Sequence, residues 1–134
     1  MQPFRDLGNR AQHFTGDAFS VVAGVTRDAA GKICVGEQAA DGLVIYGPYQ
    51  RLAPGRYRVG HFLEVSKVRS HKASIEIDIV VGGVRRIAIK HHPISSNGGL
   101  ELDVEFESDG SITEFRVAKV GVEFVHNGGI VQEI

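Results

Sequence analysis

Apolar and polar residues alternate one by one along most of this chain, a period of two that suits β-strands and runs against amphipathic helices. Leu100, Leu102, Val104 and Phe106 are interleaved with Glu101, Asp103, Glu105 and Glu107, so a strand here has one buried face and one acidic face. Ile75, Ile77, Ile79 and Val81 alternate in the same way with Glu76 and Asp78. Gly82-Gly83 follows at once as a hairpin signal, and the return strand sets Arg85, Ile87 and Ile89 against Val84, Arg86, Ala88 and Lys90. Phe115 and Val117 face in and Glu114 and Arg116 face out. The parity then slips by one to Val120, Val122 and Phe124, which calls for a bulge or tight turn between Ala118 and Gly121.

The stretch Leu43 to Val65 holds two more strands and the strongest turn signals. Gly47-Pro48 bends the chain, and Pro54-Gly55 has the composition of a type II turn. From Arg56 to Ser66 the alternation places Tyr57, Val59, His61, Leu63 and Val65 on one face and Arg56, Arg58, Gly60, Phe62 and Glu64 on the other. Upstream, Phe19, Val21, Ala23 and Val25 have strand period, with Lys32 to Val35 as a short partner. Asn127 to Gly129 reads as a last turn before Ile130 to Ile134.

Eight to ten short strands with Gly, Pro, Asn or Asp in nearly every connection must close their edges on one another. The expected fold is an all-β, antiparallel two-sheet sandwich of jelly-roll type, with residues 1–17 as an irregular arm and residues 18–134 as one domain. At 134 residues, 43% hydrophobic and 23% charged, such a domain buries a core without disulfide or metal staples. The single Cys34 sits in an apolar run and reads as an inert strand residue. A net charge of -1, from 15 basic and 16 acidic residues, gives no long-range attraction for nucleic acid. The N-terminus lacks a signal-peptide apolar run and nothing approaches a membrane span, which gives a cytoplasmic expectation for the chain as it stands.

The run Tyr46-Gly47-Pro48-Tyr49, then Leu52, then Pro54-Gly55-Arg56-Tyr57-Arg58-Val59 resembles the core signature of β-sandwich domains attached to bacterial glycosyltransferases and methyltransferases of surface-polysaccharide pathways. Those domains are similar to galactose-binding-like carbohydrate-binding modules. The strand Ile75 to Ile79 and the segment Glu114-Phe115-Arg116-Val117 followed by Gly121 fit in the same order, so the resemblance covers roughly residues 20–134. It implies a non-catalytic domain that recognises a sugar of a bacterial polysaccharide, free-standing, oligomeric or attached to an enzyme.

A sugar offers hydroxyls that both donate and accept, so its site needs fixed charged acceptors and donors and an aromatic ring for its apolar face. Arg58, Asp78, Glu105 and Arg116 are the candidate polar contacts, with Tyr46 and Tyr49 as the stacking surface, provided the charged strand faces share one concave sheet. Two other classes compete: a ligand-free structural or oligomerisation domain, and a small jelly-roll enzyme of cupin type. Against the second, His91 and His92 are adjacent, point to opposite faces of a strand, and form no H-x-H. His61 shares parity with Val59 and Leu63 and reads as a core or rim histidine. Asp17, Asp28 and Asp41 are candidates for a structural Ca²⁺, without diagnostic spacing. No G-x-S-x-G is present, and Asp78 with Glu105 is the carboxylate pair a glycosidase reading would use.

Overall fold

A computed structural model describes residues 11–134 of the chain. The described strands are β1 (Ala11–Phe14), β2 (Ser20–Val21), β3 (Thr26–Arg27), β4 (Ile33–Val35), β5 (Gly42–Tyr46), β6 (Gln50–Arg51), β7 (Gly55–Val68), β8 (Ser74–Val81), β9 (Arg85–Pro93), β10 (Gly98–Ser108), β11 (Ile112–Val120) and β12 (Val122–Glu133). They form two antiparallel sheets packed as a sandwich. Sheet I runs β10-β7-β12-β4-β3, with β1 beside β12; sheet II runs β2-β5-β11-β8-β9, with β6 beside β11.

Most of the tight turns of the C-terminal half join the two sheets rather than neighbours within one. The chain leaves β7 in sheet I and enters β8 in sheet II, returns from β9 to β10, crosses again from β10 to β11, and crosses a last time from β11 to β12. Only the β8–β9 hairpin in that half stays within a sheet. The crossing from β11 to β12 uses a single residue, Gly121, at a φ of 62°, and a Cβ there would lie 2.7 Å from the Ser70 Cβ. That crossing is the parity slip seen in the sequence.

Several local expectations change. Ala11–Phe14 of the arm expected to be irregular pairs with β12, and a 3-10 turn follows at Gly16–Ala18; residues 1–10 of that arm lie outside the described residues. The strand expected from Phe19 to Val25 is only Ser20–Val21, because Gly24 turns the chain at a φ of 89°. Asn127 to Gly129 is a bulge inside a continuous β12 rather than a turn between strands. The sharp bend before β6 is at Gly47, φ 83°, ahead of a cis Pro48, whereas Gly55 has a φ of 154° and enters β7 instead of closing a type II turn.

The core is built from the inward parity of both sheets. A continuous row of rings crosses it: Tyr57 stacks on Phe106 at 5.7 Å, Phe106 meets Phe115 at 6.1 Å, Phe115 meets Phe14 at 6.1 Å, and Phe14 meets Phe19 at 6.3 Å. Tyr57 is fully buried, and its hydroxyl donates to the Ala53 carbonyl at 2.8 Å, which ties the β6–β7 turn to the core. Replacing Tyr57 with Phe keeps the packing and deletes that bond. The expected result is a loss of about 1 kcal/mol, read as a fall of several degrees in the thermal midpoint.

At its far end the row of rings meets two histidines. Phe19 packs edge-on against His126 at 4.8 Å, and His61 and His126, both fully buried, are joined by a 2.9 Å hydrogen bond from Nδ1 to Nε2. The Gly128 N–H donates to His126 Nδ1 at 3.1 Å, so the His126 proton resides on Nε2 and is donated to His61 Nδ1. The His61 proton is then on its own Nε2, which is buried and has no hydrogen-bond partner. His61 is thus a core histidine as expected, but an incompletely satisfied one.

Candidate functional site

The polar faces of the sheets point away from each other, to the two outer sides of the sandwich. On sheet I, Arg58 of β7 stands opposite Glu105 of β10, and the Glu105 carboxylate accepts from Arg58 and from Arg56 at 3.1 Å each. All three side chains are well exposed, so these pairs contribute little to stability. On sheet II, Asp78 of β8 stands opposite Arg116 of β11. Arg116 Nε and Nη2 donate to the two Asp78 oxygens at 2.8 Å each, a bidentate fork, and Arg86 reaches the same carboxylate at 3.5 Å. The Asp78 carboxylate is 8% exposed and Asp78 raises the pKa of the Arg116 guanidinium, chiefly through this hydrogen bonding.

The six residues singled out in the sequence therefore divide. Asp78, Arg116, Tyr46 and Tyr49 share the sheet II side, whereas Arg58 and Glu105 belong to the opposite side. Tyr46 of β5 is the direct neighbour of Arg116 across the ladder. Tyr49, just after the cis Pro48, is 57% exposed, and the Glu114 carboxylate holds its phenol above the ordinary pKa, chiefly through a hydrogen bond. One face thus carries two tyrosines, a rigid carboxylate–guanidinium fork and a second carboxylate. The Asp78 and Glu105 carboxylates project from the outer faces of sheets that stack about 10 Å apart, so they cannot flank one glycosidic bond.

A depression of about 200 Å³ lies over the sheet II fork, lined by Leu43, Glu76, Asp78, Arg86, Arg116 and Ala118. Arg86 and Leu43 were not among the candidates. Simple alternation sets Arg86 and Ile89 on opposite faces, but Ile89 stands on the outer side opposite Asp78 at 47% exposure, and an extra residue at Ile87, between the pairs Ile79–Ala88 and Val80–Arg86, brings Arg86 to the same side to reach Asp78. A bulge inside an otherwise regular strand leaves no mark in the apolar pattern. A larger concavity of about 460 Å³ lies at one end of the sandwich, between Pro54–Gly55, the β8–β9 hairpin and Glu107–Asp109. The Arg85–Asp109 pair at 3.4 Å lies beside it, and no aromatic side chain lines it.

Of the residues considered for metals, His91, Asp28 and Asp41 are engaged with other groups. His91 faces Glu76 at 3.5 Å on the outer side, while His92 stands opposite Ile75. The Asp28 carboxylate accepts the Ala30 and Lys32 N–H groups at 2.9 Å each, and that of Asp41 accepts Lys119 Nζ and the Gly121 N–H at 3.0 Å each. Among the described residues no three His, Cys, Asp or Glu side chains converge on a metal position, and no helix is long and apolar enough to cross a membrane.

The fold is an antiparallel jelly-roll sandwich of the kind found in carbohydrate-binding modules. Solved structures with this architecture include a module of Cellvibrio mixtus lichenase 5A in complex with cellotriose, 9% identical, covering 92% of this chain and 97% of that one with a TM-score of 0.59. Another is the C-terminal module of a laminarinase from Zobellia galactanivorans, 8% identical over 92% of this chain and all of that one, TM-score 0.59. A third is a Clostridium thermocellum xylanase 10B structure holding a module and its catalytic domain with xylohexaose, 11% identical over 91% of this chain and 28% of that one, TM-score 0.59. At these identities the likeness is one of fold. No family model and no curated protein matches the sequence.

Proposed function

We propose that this protein is a non-catalytic carbohydrate-binding domain that holds a sugar on the outer face of sheet II. The observation that carries the reading is the pairing, on one rigid face, of the Asp78–Arg116 fork with the rings of Tyr46 and Tyr49 beside a depression. Strand-borne groups already fixed by their own hydrogen bonds lose little entropy on meeting a weak ligand. The carboxylate and guanidinium supply acceptors and donors for hydroxyls, and a tyrosine ring supplies the apolar contact. Modules of the same fold have been solved with cellotriose and with xylohexaose, which supports a glycan as the ligand. The ligand is a sugar of a polysaccharide, and the domain acts alone or joined to a polysaccharide-modifying enzyme such as a glycosyltransferase or methyltransferase.

A single open site of this kind should bind at about -4 to -6 kcal/mol, a Kd in the high micromolar to millimolar range. The test is titration of glycan-array hits against Tyr49→Ala, Asp78→Asn and Arg58→Met, each checked by thermal melting. Tyr49→Ala and Asp78→Asn should weaken binding about tenfold or more, and Arg58→Met, on the other side of the sandwich, should leave it unchanged. Loss confined to Arg58→Met would move the site to sheet I. An array without hits would favour a ligand-free structural domain.

A further inference from the structure

The depression over the Asp78–Arg116 fork does not end at Glu76 and Ala118. Those two residues also line a second depression, of about 220 Å³, with Gly42, His91 and Val120. The ladder pairs Asp78–Arg116, Glu76–Ala118 and Ser74–Val120 run beneath both, so the groove follows the strands for at least four residues, about 13 Å. That length exceeds one pyranose ring.

The chemistry changes along the groove. Over the fork it is ionic. Beyond Ala118 the charged groups are already committed: Lys119 is 5% exposed with its ammonium on Asp41 at 3.0 Å, and Glu76 lies 3.7 Å from Arg86 and 3.5 Å from His91. What remains to meet a ligand is the Ala118 methyl, the Val120 side chain at 42% exposure and the bare backbone of Gly42, where a Cβ would meet no atom within 4 Å. A hydroxyl pressed onto that surface would give up water without a new partner, whereas a methyl group gains by burial.

Building on the sheet II reading above, we propose that the groove takes a segment of at least two linked sugars. One unit lies with its hydroxyls over Asp78, Arg116 and Arg86. The next turns a methyl-bearing substituent, an O-acetyl ester or the methyl of a 6-deoxy sugar, onto Ala118 and Val120.

The experiment is calorimetric or NMR titration of the wild-type protein, Val120→Asp and Asp78→Asn with xylo- and cello-oligosaccharides of one to six units, with O-acetylated xylo-oligosaccharides, and with disaccharides containing fucose or rhamnose. Affinity should rise from one unit to two. Either the acetylated or the 6-deoxy series should bind about three- to fivefold tighter than its unsubstituted counterpart, and which one does identifies the substituent. Val120→Asp should abolish that preference, while Arg58→Met, measured alongside and lying on the opposite side of the sandwich, should bind every ligand within about twofold of wild type. Binding that is lost in Asp78→Asn but shows no substituent preference, or a preference that survives Val120→Asp, overturns this inference and leaves the sheet II site standing. Binding indifferent to Asp78→Asn, or no binding by any of these sugars, overturns both.

Discussion

Between pH 6.5 and pH 4 this protein should lose about 3 kcal/mol of stability through His61 alone, with His126 adding to the loss. Burial of His61 pushes its pKa from the ordinary 6.5 down to about 4, and burial followed by the neighbouring His61 holds His126 well below its ordinary value. Both imidazoles are therefore neutral in the fold, while in the unfolded chain they take up protons near pH 6.5. Below that pH the unfolded state binds more protons, so stability is complete above pH 6.5 and is lost as the pH falls through about 4. The slope approaches about 1.4 kcal/mol per pH unit for each histidine in this window.

Denaturant midpoints at pH 7.5, 5.5 and 4.5 would measure the loss. His61→Phe is the informative variant, because it removes the orphan donor at His61 Nε2 and leaves His126 Nε2 as the orphan instead. The number of unpaired buried donors stays the same, and the slope should fall by about one proton. Midpoints that do not move with pH in the wild type would mean that the two rings are hydrated or charged in the fold.

Gly128→Ala is expected to cost about 3 kcal/mol or more. Gly128 has a φ of 107°, which costs a residue with a Cβ roughly 1 to 3 kcal/mol. A Cβ there would also lie 2.4 Å from the Phe14 carbonyl oxygen, a backbone atom that can retreat only by pulling β1 away from β12. The displaced segment carries Phe14, a link in the row of core rings. Gly83→Ala isolates the first contribution, since Gly83 has a φ of 78° with open space around it, and should lose only about 1 kcal/mol. Equal thermal midpoints for the two variants would show that the contact with Phe14 relaxes freely and that β1 adds little to the fold.

What could be read from the sequence follows from what a period of two encodes. It records which side of a strand is wet, so it placed Asp78 and Arg116 outward together, and likewise Arg58 and Glu105. Each of those pairs is a direct ladder partnership. It does not record which sheet a strand joins. The segments Arg69 to Ala73 and Asp109 to Ser111 have the length and composition of hairpin turns, yet each carries the chain across the core. One polar floor was therefore split into two faces, and four candidate charges became two independent pairs. The strand Ala11–Phe14 escaped notice for a different reason: four residues pairing with one strand are too few to establish a period. The bulge at Asn127-Gly128 reads as a turn because the same residue types tolerate both.

The position of β12 bears on how the molecule comes into being during synthesis. This strand lies between β7 on one side and β4 and β1 on the other, yet it spans residues 122–133 and so leaves the ribosome after every other described strand. Until it arrives, β7 and β10 have no ladder to the N-terminal strands, and β1 has no partner among the described strands. The nascent chain must hold a half-built sheet with an open edge while most of its apolar residues are already outside the tunnel. Closure is then a late event that depends on contacts between distant parts of the chain, the kind that makes folding slow. The β10 edge on the far side of β7, terminal among the described strands before and after that closure, carries Glu101, Asp103, Glu105 and Glu107 at every second position, charges that oppose its pairing with another copy of the chain.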